Sequence, residues 1–419
     1  MGAIPITRSI DRARLAFLAD CLAVAVAVSL PWSTSATGIL IVLWLLALLP
    51  TLEMADLRDE LSTAAGGLPV LLWALAALGM LWADVGWRER LEGLGGFHKL
   101  LLIPLLLTQF RRSDQGWRVV LGFFASALAV LLVSWGLVLI PGLPWRGREG
   151  LLGVPVKDYI WQSEEFALCA FGLLGAAVAL WRSRRRDLAV AAMVLVALFV
   201  ANVAYVMTAR TTLVILAVLL LLFGLRQFGW KGLLGALLAG AALAGLLWIS
   251  SPYLQQRVAG AFTEVQAYRD SDAATSGGLR LEFWRRSTAF VVEAPVIGHG
   301  TGSIRDLFRR SAREGGAAAA TTTNPHNQLF AVAIQLGLVG LVALLAMWIA
   351  HLALFRGGGL AVWLGLVVVA QNIVGSAFNS HLFDFTQGWL YVFGVGVLGG
   401  VALRQRKAER EAEHQRAPA

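Results

Sequence analysis

The sequence predicts an all-α, polytopic integral membrane protein with about twelve transmembrane helices and one large loop outside the cytoplasm. Of its 419 residues, 58% are hydrophobic and only 15% are charged. This is too little charge to cover the surface of a water-soluble protein of this length. Apolar stretches that could cross a hydrocarbon layer of roughly 30 Å recur along the whole chain. Their hydropathy is continuous rather than alternating, which favours helices over strands.

Twelve apolar stretches are the candidate spans. The first resembles a secretory signal peptide, but the many spans that follow favour an uncleaved first helix. The fourth is short and contains Lys99 and Pro104. The predicted spans are residues 15–31, 38–52, 68–83, 97–110, 119–141, 162–181, 188–207, 211–225, 233–250, 328–350, 360–379 and 387–403.

The distribution of Lys and Arg predicts that both termini lie in the cytoplasm. Twelve spans place the termini on the same side. That side holds 19 Lys and Arg in its tails and short loops, against six in the short loops of the opposite side. Cytoplasmic loops carry such an excess of positive charge. The formal charge of +9 therefore indicates topology and contact with anionic membrane lipid, and not binding of nucleic acid.

The chain is predicted to divide into four parts. Residues 1–250 contain the first nine spans, and residues 251–326 form the large extracytoplasmic loop. Residues 327–403 contain the last three spans, and residues 404–419 form a charged cytoplasmic tail. The loop contains nine Arg, but long loops are translocated regardless of their charge. Within it we expect a helix over residues 281–293 and a Gly-rich turn over residues 295–303.

Three residues at the extracytoplasmic ends of the spans are candidates for function, since charge near the bilayer is costly unless it is paired or hydrated. Arg210 lies in a tight connection between two spans, where it could also be a helix-end Arg that extends to the interface. Arg280 lies on an amphipathic segment that could also be a plain interfacial helix. His326 follows Pro325 directly before a long apolar helix, and Asn324 or His326 could cap that helix.

Other polar features have both an ordinary and a functional interpretation. Asp270 and Asp272 have the spacing of a metal-binding pair, although polar loops often contain such pairs. The glycines of residues 298–302 could cradle phosphate through backbone N–H groups, or form a plain turn. His381 and Asp384, between the last two spans, could orient a base or be solvated.

The candidates share one end of the helices. Arg210, Arg280, His326, Asp384 and Lys99 are all predicted to lie at the extracytoplasmic end of the bundle. Arginine binds phosphate in a forked and permanently charged manner. Imidazole can act as a general base near neutral pH. This combination indicates a lipid substrate that carries a diphosphate, and a proton that has to be removed.

Four motifs resemble those of the O-antigen ligase superfamily in their order along the chain. They are Thr208-Ala209-Arg210, the segment around Arg280, Gly298-His299-Gly300 and Pro325-His326-Asn327. The superfamily also contains O-antigen polymerases and bacterial O-oligosaccharyltransferases. The resemblance implies an all-α membrane fold similar to that of GT-C-type glycosyltransferases.

The resemblance implies a ligase that transfers a completed glycan from undecaprenyl diphosphate to the core oligosaccharide of lipid A, on the periplasmic face of a Gram-negative inner membrane. Its partners would be the lipid-linked donor, the lipid A-core acceptor and membrane lipids. Transfer would invert the anomeric centre without a metal or other cofactor. The matching motifs make His326 the base for the acceptor hydroxyl and Arg210 a second catalytic residue, and they assign Arg210, Arg280 and Lys99 to the diphosphate.

Two alternatives stay open. A polymerase or O-oligosaccharyltransferase of the same superfamily would use the same chemistry, and only the chain length and the Pro-His-Asn motif favour a ligase. A flippase for lipid-linked glycans would show charges in mid-span or inverted repeats. The sequence has few charges in mid-span and no convincing repeat.

Overall fold

The computed structural model describes residues 11–140, 142–145, 152–271, 275–314 and 321–416, which form helices and turns without any strand. The predicted all-α class is confirmed. In chain order the helices are α1 (Arg12–Ser29), α2 (Thr34–Leu48), α3 (Met54–Ser62), α4 (Ala64–Gly79), α5 (Trp87–Gly95), α6 (Leu102–Arg112), α7 (Gly116–Leu139), α8 (Tyr159–Arg182), α9 (Arg186–Tyr205), α10 (Arg210–Ser250), α11 (Pro252–Ser271), α12 (Ser276–Glu293), α13 (Ile304–Glu314), α14 (Gln328–Leu354), α15 (Leu360–Ser376) and α16 (Phe385–Arg416). Two short 3₁₀ helices, Leu49–Thr51 and His98–Leu101, follow α2 and precede α6.

Seven of the described helices are long and apolar enough to cross a membrane. The number rises to nine if two bent pairs each form one span, namely α3 with α4, bent by 86°, and α5 with His98–Arg112, bent by 48°. Helix α10, at 41 residues, contains two predicted spans on either side of a non-helical residue, Gly229. The structure therefore supports a multi-pass membrane protein, and the number twelve stays a prediction.

Helices α8 and α16 lie at the centre of the bundle, since 67% and 78% of their apolar stretches are buried. Helix α10 lies at the periphery, where only 6% of the corresponding stretch is buried. Its exposed residues include Leu238 and Ile249, which suits a helix that faces lipid. Small residues bring α16 against α6, because a Cβ at Gly396 would lie 2.3 Å from the Cβ of Leu106. Such close backbone approach is typical of helix packing in membranes.

Helix α14 is broken at Gly337, whose φ of +60° is left-handed. The broken turn exposes backbone groups that a hydrocarbon environment cannot satisfy. The segment 295–300 satisfies them: the amides of His299 and Gly300 donate to the carbonyls of Ile334 and Gln335, at 2.8 and 2.9 Å. In return, the amides of residues 338 and 339 donate to the carbonyls of residues 295 and 296. The predicted Gly-rich turn is thus confirmed, and it is built into the side of α14.

The large loop is mostly helical in its described residues. The predicted helix 281–293 is confirmed as the C-terminal part of α12, which begins at Ser276 because Thr275 caps it, with the Thr275 hydroxyl accepting from the amide of Gly278 at 3.1 Å. Helices α12, α13 and the start of α14 share a small apolar core of their own. Its buried members are Phe283, Phe290, Ile304, Phe308, Ala331 and Ile334. This core fixes the loop to the membrane helices.

The predicted cap of α14 was wrong. Asn327 caps the helix, with its Oδ1 accepting from the amides of Leu329 at 2.9 Å and Phe330 at 3.2 Å. Asn324 and His326 lie too early in the chain for this role. Instead, Asn324 Oδ1 accepts from the amide of His326 at 2.8 Å and forms a turn around Pro325. His326 itself adopts a left-handed backbone conformation, with a φ of +53°.

Candidate functional site

Arg210 is the first residue of α10, and α11 supplies its partner. Its Nη1 and Nη2 donate to the two carboxylate oxygens of Glu264, at 2.9 and 2.6 Å. Its Nε donates to the carbonyl of Arg257 at 3.3 Å. The side chains of Arg210 and Glu264 are 26% and 27% exposed. This forked pairing is the geometry that Arg also offers to a phosphate. An anion that binds Arg210 therefore has to displace or share the carboxylate.

Glu264 also connects Arg210 to α12. Its Oε2 accepts from the amide of Gly277 at 3.1 Å, and its carbonyl accepts from the hydroxyl of Thr275 at 2.9 Å. Arg280 lies one turn further along α12. Burial lowers the pKa of Arg280, and the charge of Arg210 contributes to the same shift. In the described part of the chain the Arg280 guanidinium has no hydrogen-bond partner. Two guanidinium groups thus lie near each other, and one of them is free.

His326 lies on the other side of Arg280. Its ring stacks on Phe283 of α12, with the ring centroids 6.1 Å apart and the planes at 20°. The indole N–H of Trp284 donates to the His326 carbonyl at 3.4 Å. Burial lowers the pKa of His326, and the charge of Arg280 lowers it further, whereas the hydrogen bond that the ring donates to Asn379 raises it. The imidazole is therefore neutral at neutral pH, as a general base has to be.

A polar chain fixes which ring nitrogen of His326 is protonated. Asp384 Oδ2 accepts from the Nδ2 of Asn379 at 2.9 Å. This contact turns the Oδ1 of Asn379 toward His326, 3.0 Å from Nδ1. An amide oxygen can only accept, so Nδ1 carries the proton and Nε2 presents its lone pair. Burial raises the pKa of Asp384 to about 6, and Lys99 opposes that shift. Asp384 is therefore still ionised at neutral pH.

Lys99 lies beneath this chain and not beside the arginines. It is 3% exposed. Its Nζ donates to the carbonyls of Phe383 at 3.1 Å and Asp384 at 2.7 Å. These bonds hold the turn from which Asp384 reaches Asn379. The assignment of Lys99 to a diphosphate stays a prediction, and its observed contacts point to a different role, which is to position the partners of His326.

The phosphate-cradle interpretation of residues 298–302 was wrong. Every one of the five backbone N–H groups already has an acceptor within the protein. The acceptors are the carbonyls of Ala294, Ile334, Gln335 and Gly79, and the side-chain oxygen of Gln335. The ring of His299 likewise bonds internally, with Nε2 2.8 Å from the carbonyl of Phe290. The turn is structural and has no donors left for an anion.

His381, predicted either to orient a base or to be solvated, is buried in the bundle. It is 1% exposed, and its Nε2 lies 3.3 Å from Oε1 of Glu164 on α8. Burial lowers the pKa of His381 to about 3, so the ring is neutral. The Glu164 side chain is 0% exposed, and a Gln387 amide lies 3.4 Å from its second oxygen. The pair joins the turn of residues 377–384 to the central helix.

Several residues of the site were not recognised in the sequence. Asn379 and Glu264 are ordinary loop residues by composition, and only the fold brings them to His326 and Arg210. The carboxylates of Glu164 and Glu165 did carry a signal, since two adjacent acids inside an apolar run are costly. The metal-pair interpretation of Asp270 and Asp272 concerns side chains outside the described residues.

Comparison with known proteins supports the assignment of this region. Residues 203–345 match the family described as O-antigen ligase. The matched segment contains Arg210, Arg280 and His326. An uncharacterised protein of Haemophilus influenzae is 30% identical over 132 residues, which are 30% of this chain and 33% of that protein. The chain thus matches about a third of the length of that curated relative.

Proposed function

We propose that this chain, of which residues 203–345 match the O-antigen ligase family, transfers a completed glycan from undecaprenyl diphosphate to the core oligosaccharide of lipid A. The proposed reaction takes place on the periplasmic face of a Gram-negative inner membrane. In this topology both termini are cytoplasmic, in agreement with the distribution of Lys and Arg. The ends of α10, α12 and α14 that carry Arg210, Arg280 and His326 then lie at the periplasmic boundary.

One observation supports this reaction above all: the imidazole of His326 stacks on Phe283, one turn of α12 from Arg280, whose guanidinium has no hydrogen-bond partner among the described residues. A glycosyl transfer from a lipid diphosphate needs these two groups. The base accepts the proton of the attacking hydroxyl, and the guanidinium stabilises the negative charge of the departing diphosphate.

The proposed chemistry is a single displacement. The acceptor hydroxyl transfers its proton to Nε2 of His326, and its oxygen forms the new glycosidic bond to the anomeric carbon. The bond from that carbon to the diphosphate oxygen breaks with inversion, and both bonding electrons leave with the diphosphate. Arg280 binds the diphosphate throughout. Arg210 also binds it, after the two hydrogen bonds between Arg210 and the Glu264 carboxylate have broken. The proton then passes from His326 to water.

The test uses purified protein with a lipid-diphosphate glycan and a lipid A-core acceptor. We expect His326→Ala to lower the rate of transfer by about 10²- to 10⁴-fold, the usual contribution of a general base. We expect a loss of similar size for Arg280→Gln. The matched controls are Arg285→Gln, an Arg of the same helix that is 76% exposed, and His414→Ala on the exposed tail. Full activity in a well-folded His326→Ala variant would remove the proposed base.

A cellular experiment separates the ligase from its relatives. Loss of a ligase leaves lipid A-core without attached polymer, whereas loss of a polymerase still leaves a single repeat unit attached. A flippase would give neither product from purified components in one compartment. Gel analysis of the lipopolysaccharide in a deletion strain, complemented with the wild type or with Arg280→Gln, therefore separates a ligase from a polymerase, and transfer by the purified protein in one compartment excludes a flippase.

A further inference from the structure

A separate cavity opens beside residues 321–327, the segment before α14 that carries His326 and is called the His326 loop below. Its volume is about 370 Å³, within the range of about 300–1,000 Å³ of sites that bind small molecules. Helix α5 forms one wall with Glu89 and Glu92, and the start of α13 contributes Arg305. Gln335 of α14, Thr323 and Phe383 complete the lining that matters for recognition. We call this cavity the α5 cleft.

The α5 cleft adjoins the segments that carry and orient the proposed base. Thr323 directly precedes Asn324, whose side chain bonds to the His326 amide. Phe383 directly precedes Asp384, the residue that orients Asn379. The described lining includes no residue of α8, α10, α11 or α12, the helices around Arg210 and Arg280. The residues that line the α5 cleft are thus separate from the helices that carry Arg210 and Arg280.

The lining favours hydroxyl groups over phosphate. Glu89 and Glu92 are acceptors for sugar hydroxyls, and the one cation, Arg305, is already 3.3 Å from Glu92. Gln335 is 2% exposed. Its oxygen accepts from Gly302 and one amide hydrogen is donated to Ala331, which leaves a second hydrogen for a ligand. The ring of Phe383 is half-buried and offers an apolar surface to the C–H face of a sugar ring. Both oxygens of Glu92 already have an arginine partner, Arg88 at 2.9 Å and Arg305 at 3.3 Å. The carboxylate of Glu89 would repel a diphosphate here.

The walls of the cleft are closely packed, because two glycines, one in α5 and one directly after it, allow direct contact with the turn of residues 298–302 and with Phe383. A Cβ at Gly93 of α5 would lie 2.5 Å from the backbone nitrogen of Gly302, and a Cβ at Gly96 would lie 3.0 Å from the ring of Phe383. Helix α5 therefore lies directly on the turn of residues 298–302. This turn, whose donors are all used internally, serves as the floor of the cleft. A preformed wall lowers the cost of ordering a flexible glycan.

We propose that the α5 cleft binds the sugar of the acceptor and presents its hydroxyl to His326. The inference rests on the proposed function, and it adds the subsite that the second substrate occupies. An inverting displacement needs the attacking hydroxyl and the leaving diphosphate on opposite sides of the anomeric carbon. The arginines hold the diphosphate of the donor on one side, and the cleft holds a neutral, hydroxyl-rich sugar on the other.

Two substitutions test the cleft. Thr323→Trp fills it from an exposed loop position, and Glu89→Gln removes a charge with little change in shape. For each variant the acceptor and the donor are varied separately in the transfer assay. We expect the KM for the acceptor to rise about tenfold or more, the usual effect of losing a hydrogen bond to a charged group. The KM for the donor should stay within twofold. Glu293→Gln, a 66% exposed carboxylate outside the lining, is the control.

A second measurement separates the cleft from the reaction. Binding of free core oligosaccharide to the full-length protein in detergent is followed by saturation-transfer NMR. If the wild type binds the oligosaccharide and Thr323→Trp does not, the cleft is supported even if no transfer is ever detected, and only the proposed function fails. An unchanged acceptor KM together with unchanged binding in both variants would overturn the cleft. So would a rise in the KM for the donor alone.

Discussion

Replacing Asn379 by Leu, which has a similar shape, should lower the rate of transfer severalfold without unfolding the protein. The change removes the 3.0 Å contact between Asn379 and Nδ1 of His326. A hydrogen bond of this kind contributes about 1–1.5 kcal/mol. That energy is what favours the tautomer with a free Nε2, so its loss shifts the ratio of the two tautomers by about tenfold and lowers the fraction of usable base severalfold. The effect is smaller than that of removing His326, because the imidazole remains and is still a base part of the time.

The assay is kcat of the purified protein with both substrates saturating, and thermal unfolding verifies that the variant is folded. The control is a double-mutant cycle with His326→Ala. If Asn379 acts only through His326, adding Asn379→Leu to His326→Ala has no further effect on the residual rate. The reasoning is refuted if Asn379→Leu alone stays within twofold of the wild type. It is also refuted if the substitution costs the same factor in both backgrounds.

Four further results are expected. The acidic limb of the pH profile of kcat/KM should lie at about pH 6 or below, since the pKa of His326 is lowered and that of Asp384 is raised to about 6. Protonation of either group disables the base. An acidic limb above pH 7 would contradict this. Lys99→Met should lower kcat with an unchanged KM for the donor, because Lys99 donates hydrogen bonds to the carbonyls of residues 383 and 384. A raised donor KM with an unchanged kcat would instead favour the assignment of Lys99 to the diphosphate. Glu264→Gln should lower the KM for the donor severalfold, since a neutral amide competes less for Arg210, and a rise would mean that Glu264 serves to orient Arg210. Chelation with EDTA should leave transfer intact, and a strict requirement for a divalent metal would return attention to Asp270 and Asp272.

The helical class and the general position of the site could be predicted from the sequence because both depend on local hydropathy. Long apolar stretches are helical in a membrane whatever their partners are. Arg210 and His326 were recognised because a charged or titratable residue at the end of an apolar stretch needs an explanation. These inferences required no knowledge of which helices are neighbours.

The partners of those residues depend on tertiary contacts and could not be predicted. The break in α14 is an example, since the apolar pattern continues through Gly337. Its backbone groups are satisfied by a segment that lies about 40 residues earlier in the chain. The same contacts decide between the two interpretations of the Gly-rich turn: its composition also fits a phosphate loop, but its amides are used within the protein, three of them by α14. Asn379 likewise becomes significant only because the turn before α16 folds back onto the His326 loop.

In the proposed mechanism, Arg280 connects the two substrates through charge. In the free protein its positive charge lowers the pKa of His326, so the imidazole is neutral but also a weaker base. When the diphosphate of the donor binds Arg280, the negative charge compensates the guanidinium and removes this effect. The pKa of His326 then rises, and the base becomes stronger at the moment when an electrophile is present. An acceptor bound alone would meet the weaker base, so the arrangement favours proton removal only after the donor is in place. Without this coupling, Arg280 would only bind substrate; with it, donor binding also prepares the group that activates the acceptor.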